Sequence, residues 1–388
     1  MLLNLISCSG QRGEEKPSLS EDFDKSFPFY FGITDNITSQ DTSSGWEQNG
    51  QKILITGTVY KGDGKTPAPN IIMYYYHTDI DGRYIHQSTY DRSMPPNKLG
   101  QTHGYIRGWV QTGPDGKYSI YTVRPGTYPS RDEPAHIHVN IKEPLLSDDY
   151  YIDEFMFDDD KQLSASIRKE MDNRGGSGVL RLVEKGHLHI GERDIILGLN
   201  IPDYIEEGSN QNQSGKQIGE DVLSFTPYHA WGPDKETKTC PICKYGWYHG
   251  ILYFVGNHPN WDEIKEWLIF LEAESKHRKE YLKIYYVYGN ENGFNKAKRI
   301  ARLQDLGEEL NLSYVALTFV PSLSDKQSDI YLNEINPELE NTFILYKRSK
   351  VIEKFTNLKP SPKNFKMILD RLDETINEYF DLAKPNNK

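Results

Sequence analysis

Two histidines separated by a single residue, His136 and His138, are the side chains in this sequence best placed to bind a metal ion. On a β-strand, residues i and i+2 project from the same face, about 6.6 Å apart, because each residue rises about 3.3 Å. Pro134 precedes the pair and suits the start of a strand. Tyr128 lies upstream in "RPGTYP", where a Pro-Gly turn lets a loop fold its phenol over that face. The spacing therefore allows the two imidazoles to converge on one metal ion, with the phenol folded over the same face.

A plainer interpretation is that these are two surface or half-buried strand histidines. The chain contains a second such pair, His187 and His189 in "GHLHIG", which has no tyrosine or carboxylate in a comparable context. We interpret that second pair as structural. The pattern His-x-His alone is therefore weak, and the surrounding residues decide what the first pair does.

Those surrounding residues predict an all-β block between about Ile53 and Ile205. "ILITGTVY" and "IIMYYYHTD" are rich in β-branched and aromatic residues, and Asp-Gly turns separate the following short segments, including "GPDGKYSIYTV" and "HIHVNI". An amphipathic helix of ordinary length is not predicted before Leu163. This pattern favours a β-sandwich or barrel.

Several motifs of this block, "GRYIHQSTY", "RGWVQTGPDGKYSIYTVRPGTYP", "PAHIHV" and "FDDD…RDIILGLNIPDY", resemble in order and spacing those of the intradiol ring-cleavage dioxygenases, the family of catechol and protocatechuate dioxygenases. The resemblance implies a β-sandwich that holds one non-haem Fe(III). It implies four ligands, namely Tyr90, Tyr128, His136 and His138, together with a solvent-derived hydroxide. It further implies ring opening of an aromatic diol by O2 between its two hydroxylated carbons, with Tyr128 also serving as a base.

The residue types agree with that implied chemistry. A free phenol has a pKa of about 10, so it binds as phenolate only to a strong Lewis acid, which favours Fe(III) over Zn(II) or Mg(II). The sequence departs from the family where an arginine commonly stands three residues before the first histidine, since Glu133 occupies that position. Arg131, two residues earlier, is the candidate to supply the missing positive charge. Because Glu133 would repel anions, acidic catechols are expected to be the poorest substrates.

The sequence after the polar stretch 206–221, which we interpret as a linker, predicts a different fold. Strands and helices alternate in the order β-α-β-α-β-β-β-α, which indicates an α/β domain. Asn260 is a plausible helix N-cap with Glu263 three residues on. The domain boundaries predicted from the sequence are 1–47 for an N-terminal tether, 48–205 for the β-sandwich, 206–221 for the linker and 222–388 for the α/β domain.

Cys240 and Cys243 form a Cys-x-x-Cys motif that resembles those of thioredoxin-like domains. Thioredoxin-type pairs follow a central strand and open a helix, whereas this pair precedes the strand "ILYFV". Three interpretations stay open: a structural or reversible disulfide, zinc bound with His229 or His249, and idle thiols. The alternative function is accordingly a thiol-redox or peroxiredoxin-like protein whose β-domain is a non-catalytic binding module. A non-catalytic interaction protein at the cell surface is a third possibility.

Cys8 follows a short apolar stretch in "LLNLISCSGQ", which resembles the lipobox of bacterial lipoproteins. The polar residues after it are typical of a tether. Seven residues before Cys8 are few for an export signal, so either the start is truncated or Cys8 is incidental. We expect a lipoprotein on the periplasmic side of the cell envelope, tethered through a lipidated Cys8, or a cytoplasmic protein if Cys8 is incidental.

The overall charge argues against a polyanionic partner. The chain has 388 residues and a net charge of −11, and we find no run of five or more basic residues, so nucleic acid is not an expected partner. No apolar run approaches the roughly 20 residues that span a bilayer. The oligomeric state is left open.

Overall fold

The computed structural model of this chain describes residues 28–34, 36–146, 148–204 and 214–385. Within these residues it contains three six-stranded sheets. Two lie in the N-terminal part and enclose a common hydrophobic core, and the third lies in the C-terminal part with the three longest helices.

The N-terminal strands are β1 (Gln40–Thr42), β2 (Lys52–Tyr60), β3 (Ile72–Tyr76), β4 (Arg107–Gln111), β5 (Lys117–Val123), β6 (His136–Lys142), β7 (Tyr150–Tyr151), β8 (Phe155–Phe157), β9 (Val179–Leu180), β10 (Val183–Lys185), β11 (Leu188–Glu192) and β12 (Ile195–Ile196). The first sheet has the order β1-β5-β2-β11-β10, with β12 also paired to β2. The second has the order β4-β3-β6-β8-β9, with β7 paired to β6. A six-residue helix, α1 (Ala165–Glu170), connects β8 to β9.

The alternation of side chains along β6 determines what the two sheets enclose. Ile137, Val139 and Ile141 are fully buried and pack with Ile53 and Ile55 of β2 in the shared core. Because neighbouring residues of a strand point to opposite faces, His136 and His138 project away from that core. The predicted sheet-rich fold of this part is confirmed.

The C-terminal elements are β13 (Tyr228–Trp231), α2 (Pro241–Tyr245), β14 (His249–Val255), α3 (Trp261–His277), β15 (Leu282–Tyr288), α4 (Lys296–Glu309), β16 (Ala316–Phe319), β17 (Thr342–Lys347), β18 (Lys350–Thr356) and α5 (Pro362–Glu374). Short 3-10 helices span Ser44–Glu47 and Ile330–Asn333. The third sheet has the order β13-β16-β15-β14-β17-β18, in which β14, β15 and β16 are parallel and β17 is antiparallel to β14.

Helix α3 follows the prediction closely. Asn260 caps it by accepting the N–H of Glu263, and Ile264, Leu268 and Leu271 form its buried stripe. The pattern predicted the strands and helices from β14 onward, while β13, an edge strand of four residues, was not predicted.

The predicted tether 1–47 needs a correction at its C-terminal end. Phe29 is 2% exposed, and its carbonyl accepts the indole N–H of Trp109 at 2.7 Å. β1 pairs with β5. These contacts make residues 28–34 and 36–47 part of the N-terminal fold, because aromatic and β-strand contacts far along the chain hold them. Cys8 lies outside the described residues.

The predicted linker 206–221 also packs in its second half. Gly219 N–H donates to Val351 O and Val222 N–H to Ser349 O, each at 2.8 Å, so this segment runs along β18. The buried Ser214 hydroxyl lies 2.8 Å from that of Thr342. Polar composition misled the prediction here, because backbone hydrogen bonds rather than apolar side chains hold the segment. Among the described residues, no helix is both long and apolar enough to cross a bilayer.

Candidate metal centre

The two histidines of β6 direct their Nε2 atoms to one point. His136 Nδ1 lies 2.7 Å from Pro134 O, and His138 Nδ1 lies 3.5 Å from a carboxylate oxygen of Glu154. Since each Nδ1 has an acceptor, each Nε2 is free to present its lone pair to a metal. The two Nε2 atoms are 3.1 Å apart.

Tyr128 completes a triangle of donor atoms with these histidines. Its hydroxyl oxygen lies 3.3 Å from His136 Nε2 and 3.4 Å from His138 Nε2. Ligands about 2.1 Å from one metal ion stand roughly 3.0–3.4 Å from each other at right-angle to tetrahedral geometry. The three atoms therefore have the separations of ligands that share one ion.

The fourth donor in the structure is Tyr84, whose hydroxyl oxygen lies 3.1 Å from that of Tyr128. The sequence prediction placed Tyr90 here instead. The Tyr90 ring stacks on Tyr105 with the ring centroids 4.8 Å apart. Within the described residues, the Tyr90 hydroxyl makes no hydrogen bond to Tyr128, His136 or His138.

Local backbone geometry explains why Tyr84 and not Tyr90 reaches the cluster. The Asp79 carboxylate accepts the N–H groups of Asp81 and Arg83, which closes a tight turn directly after β3 and returns the chain at Tyr84. Gly82 has φ +75°, and a Cβ there would clash with the Thr127 carbonyl. Tyr90 lies in a further turn, in which its own N–H donates to Gln87 O. The Asp-x-Asp-Gly turn after a strand was the sequence signal that could have identified Tyr84.

The loop that carries Tyr128 is held against the same turn. Gly126 N–H donates to Asp79 O at 2.9 Å, and the Thr78 hydroxyl donates to Gly126 O at 2.9 Å. A Cβ at Gly126 would clash with the Ile80 carbonyl. The two phenols are thus positioned by loops whose backbones contact each other directly.

Glu154 is a site residue that the sequence analysis missed. β8 pairs with β6 so that Phe155 lies opposite Ile137, and Glu154, just before β8, therefore lies beside His138. Burial would raise the pKa of Glu154, but its hydrogen bond with His138 and the nearby imidazoles lower that pKa to about 2. It is therefore an anion that orients the ring of His138. Its signal was its position directly before "FMFDDD", opposite the His-x-His strand.

Burial shifts the pKa values of the histidine and tyrosine side chains in the cluster. For histidine, the shift favours the neutral form that binds a metal ion. Burial, with a smaller contribution from His138, lowers the pKa of His136, so this imidazole is neutral near pH 7. Burial raises the pKa of both Tyr84 and Tyr128. Phenols in this setting stay protonated unless a strong Lewis acid displaces the proton, which fits a trivalent ion better than Zn(II).

The ring of His138 is packed between the cluster and an aromatic wall. Tyr76 stacks on His138 with centroids 4.7 Å apart, and His103 stacks on the other face of the wall, 3.6 Å from the Tyr76 centroid. Arg131 lies 5.7 Å from the Tyr128 ring centroid and 3.6 Å from the Glu133 carboxylate. Arg131 is therefore near the cluster, but it is 65% exposed and its charge is partly offset by Glu133.

Among the described residues, no three His, Cys, Asp or Glu side chains are grouped so as to hold a metal ion. That result is consistent with this cluster, whose nitrogen donors are only two and whose other donors are phenols. The contacts around Cys240 and Cys243 themselves disfavour zinc there. The two cysteines form a disulfide, while His229 bonds to Thr239 O and His249 bonds to Thr375.

The N-terminal part of the chain is similar to known proteins. Residues 28–184 match the family model described as Dioxygenase. The chain is 29% identical over 116 residues to the protocatechuate 3,4-dioxygenase beta chain of Burkholderia cepacia. The matched region covers 28% of this chain and 46% of that relative. The chain thus spans about half the length of the curated relative that it matches. This part of the chain is similar to the intradiol dioxygenases, a family of oxidoreductases, at low sequence identity.

Two solved structures are also similar to this part. The dioxygenase domain of a dioxygenase carbohydrate-binding protein fusion from Streptomyces sp. SirexAA-E is 18% identical and covers 42% of this chain and 91% of its own, with a TM-score of 0.31. Catechol 1,2-dioxygenase from Acinetobacter sp. ADP1 is 18% identical and covers 46% of this chain and 64% of its own, with a TM-score of 0.31.

Proposed function

We propose that the N-terminal part of this chain is a non-haem Fe(III) dioxygenase that opens a catechol-type ring between its two hydroxylated carbons. The observation that carries the proposal is the group of four donor atoms from Tyr84, Tyr128, His136 and His138, in which the measured neighbours lie 3.1–3.4 Å apart. Two phenols with two imidazoles are a donor set suited to a ferric ion.

When bound, the ferric ion would supply the Lewis acidity that draws electron density from a chelated diol. The chain's own contribution is orientation and proton handling. Tyr128 lies on a loop and contacts both histidines, so its phenolate, formed when a ferric ion displaces the proton, would be placed to accept a proton from a substrate hydroxyl. Arg131 lies beside it and is the cation available to an anionic intermediate. Tyr76 and His103 form the stacked aromatic wall that holds the ring of His138 in place.

The charges around the cluster support a substrate without a carboxylate. Glu133 and Glu154 both lie near the donors, and their charges add to the larger effect of burial in raising the pKa of Tyr128. Arg131, which could offset them, already pairs with Glu133. We propose neutral or cationic catechols as substrates and O2 as the second reactant.

The test uses the full chain loaded with ferric iron. Oxygen uptake is measured with neutral, amine-bearing and carboxylate-bearing catechols, and the product is examined by mass spectrometry for the gain of both oxygen atoms. We expect uptake with the neutral and cationic compounds and the slowest uptake with the acidic ones. Iron-loaded protein that consumes no oxygen with any catechol would contradict the activity, and a preference for acidic catechols would contradict the role of Glu133.

We also propose that residues 222–388 are a thioredoxin-like domain. Its support is the strand order β15-β14-β17-β18, in which a parallel pair is followed by two antiparallel pairs. Helix α3 follows β14, the first of these strands in the sequence, and helix α5 follows β18, the last.

A location in the cell envelope through Cys8 remains a proposal from the sequence. Labelling with a radioactive fatty acid and a Cys8→Ala control would test it, and an unlabelled native chain would contradict it.

A further inference from the structure

A cavity away from the metal centre lies between the N-terminal and C-terminal parts. Its volume is about 300 Å³, which is at the lower end of the range for small-molecule binding sites. One wall comes from the segment between β8 and β9 and from β9 itself. The opposite wall comes from residues 221–224, from the segment 242–247 and from Lys384 near the end of the described chain.

The Cys240–Cys243 disulfide forms part of that second wall. Cys243 lines the cavity and is exposed, whereas Cys240 is half-buried and does not line it. Ser224 Oγ lies 3.3 Å from Cys243 Sγ. A reagent in the cavity therefore meets the sulfur of Cys243 first.

Cations outnumber carboxylates on the cavity wall, although the whole chain is acidic. The wall carries six basic side chains and two acidic ones: Arg168, Lys169, Arg181, Lys216, Lys244 and Lys384 against Asp158 and Asp221. Three of the lysines pair with carboxylates that do not line the cavity, namely Asp329, Glu334 and Asp234. A ligand inside the cavity consequently meets the ammonium groups before the carboxylates that neutralise them.

Lys384 is the cation that most clearly faces a prospective ligand. Its Nζ lies 4.4 Å from the Trp247 ring centroid, and within the described residues no carboxylate pairs with it. Lysine over an indole keeps its charge while its stem covers apolar surface. Lys384 and Trp247 together offer one charged contact and one apolar contact.

We propose that this cavity recognises a small carboxylate-bearing thiol that exchanges with the Cys240–Cys243 disulfide. The thiolate of the ligand attacks Cys243 Sγ, the bond between Cys243 and Cys240 breaks, and Cys240 leaves as a thiolate. The Cys243 N–H, which lies 3.1 Å from Cys240 Sγ, stabilises that leaving thiolate. A second ligand thiolate then attacks the ligand sulfur of the mixed disulfide and releases Cys243. Two thiols are thereby oxidised to one disulfide, and the protein disulfide takes up two electrons and two protons.

The experiment compares three thiols on the oxidised full chain at low ionic strength: mercaptosuccinate, 2-mercaptoethanol and cysteamine. Each rate of protein thiol release is divided by the rate of the same thiol with hydroxyethyl disulfide, which removes differences in intrinsic reactivity. We expect mercaptosuccinate to exceed cysteamine by about tenfold or more, and the difference to shrink as salt screens the wall. Equal normalised rates, or a faster cysteamine, would overturn the proposal.

Two further measurements separate recognition from simple exposure of a disulfide. Lys384→Glu should reduce the preference for mercaptosuccinate, while Lys363→Glu, at an exposed position on α5, should leave it unchanged. Succinate, which has the carboxylates but no thiol, should slow the mercaptosuccinate reaction by competition. Succinate binding with no thiol exchange at all would overturn the redox role. Iron content and oxygen uptake report on the metal centre independently, so either proposal can fail alone.

Discussion

At the scale of single residues, Tyr84 rather than Tyr90 lies beside Tyr128. Tyr84→Phe should remove the phenol 3.1 Å from Tyr128 and should lower both iron retention and the visible charge-transfer band of tyrosinate bound to Fe(III). Tyr90→Phe is the matched control, because Tyr90 stacks on Tyr105 and should not affect the band. Absorption spectra and iron analysis of the two purified variants decide the matter. Loss of the band in Tyr90→Phe with its retention in Tyr84→Phe would restore the assignment made from the sequence.

A second prediction at this scale concerns the two glutamates near the donors. Glu154 contacts His138, so Glu154→Ala should weaken iron binding by about 10- to 100-fold, as expected for an outer-shell carboxylate. Glu133 does not contact either histidine in the described structure, so Glu133→Gln should keep its iron and instead improve relative turnover of acidic catechols. Competition with a chelator measures the first effect and oxygen uptake the second. Equal iron affinities for Glu154→Ala and the unaltered chain would contradict the orienting role.

These residues show what the sequence could and could not predict. His136 and His138 were predictable because a two-residue spacing on a strand has a fixed geometric meaning. Tyr128 was predictable because it lies shortly before the histidine strand, on a loop that a Pro-Gly turn begins. Tyr84 was missed because its position depends on hydrogen bonds within a turn, and Glu154 was missed because strand pairing, not sequence distance, places it beside His138.

At the scale of elements, the start of β14 contains a histidine that folding keeps neutral. His249 is 2% exposed, its Nε2 lies 2.8 Å from the Thr375 hydroxyl, and its ring contacts Phe380. Burial first, and then the positive charges of Lys347, Arg278 and Arg348, with Asp373 opposing them, lower its pKa to about 3.

The lowered pKa of His249 determines how the free energy of unfolding changes with pH. Below the unfolded-state pKa of about 6.5, His249 binds a proton in the unfolded chain. In the folded chain it stays neutral down to about pH 3. The free energy of unfolding should therefore fall as the pH drops from about 6.5 towards 3, by up to roughly 1.4 kcal/mol per pH unit from this group. His249→Gln should flatten that slope in urea titrations, compared with His277→Gln at an exposed position of α3. Equal slopes for the two variants would contradict the prediction.

The sequence predicted helices and strands best where buried side chains recur at a regular spacing. The stripe of Ile264, Leu268 and Leu271 defined α3, and alternation defined β6. It failed for residues 28–47 and 214–221, which are held by pairing with distant strands and by backbone hydrogen bonds. Such contacts leave no periodic signal in the segment itself.

At the scale of the whole molecule, an ion network joins the two parts. The Glu192 carboxylate of β11 contacts Lys347 Nζ at 3.2 Å and the guanidinium of Arg348, and all three side chains are mostly buried. Arg181 and Asp221 form a second, bidentate pair. The partners are separated by 40 to 156 residues along the chain, so no local pattern could have predicted them.

The network predicts that the two parts unfold together. Glu192→Gln leaves two buried cations without their carboxylate, which should cost about 3–5 kcal/mol and should split a single thermal transition into two. Glu378→Gln is the control, because its pair with Lys185 also joins the two parts but is more than half exposed and should cost less than about 1 kcal/mol. Calorimetry distinguishes the outcomes, and equal small effects of the two variants would contradict the network's role.

Iron content and visible absorption of the full chain after loading with ferric iron would show whether the four side chains share a metal ion. We predict a single bound ferric ion per chain, with a tyrosinate charge-transfer band that Tyr128→Phe and Tyr84→Phe each weaken and that Tyr90→Phe leaves intact. A colourless chain that binds no ferric iron would contradict the claim that these two phenols and two imidazoles share a metal ion.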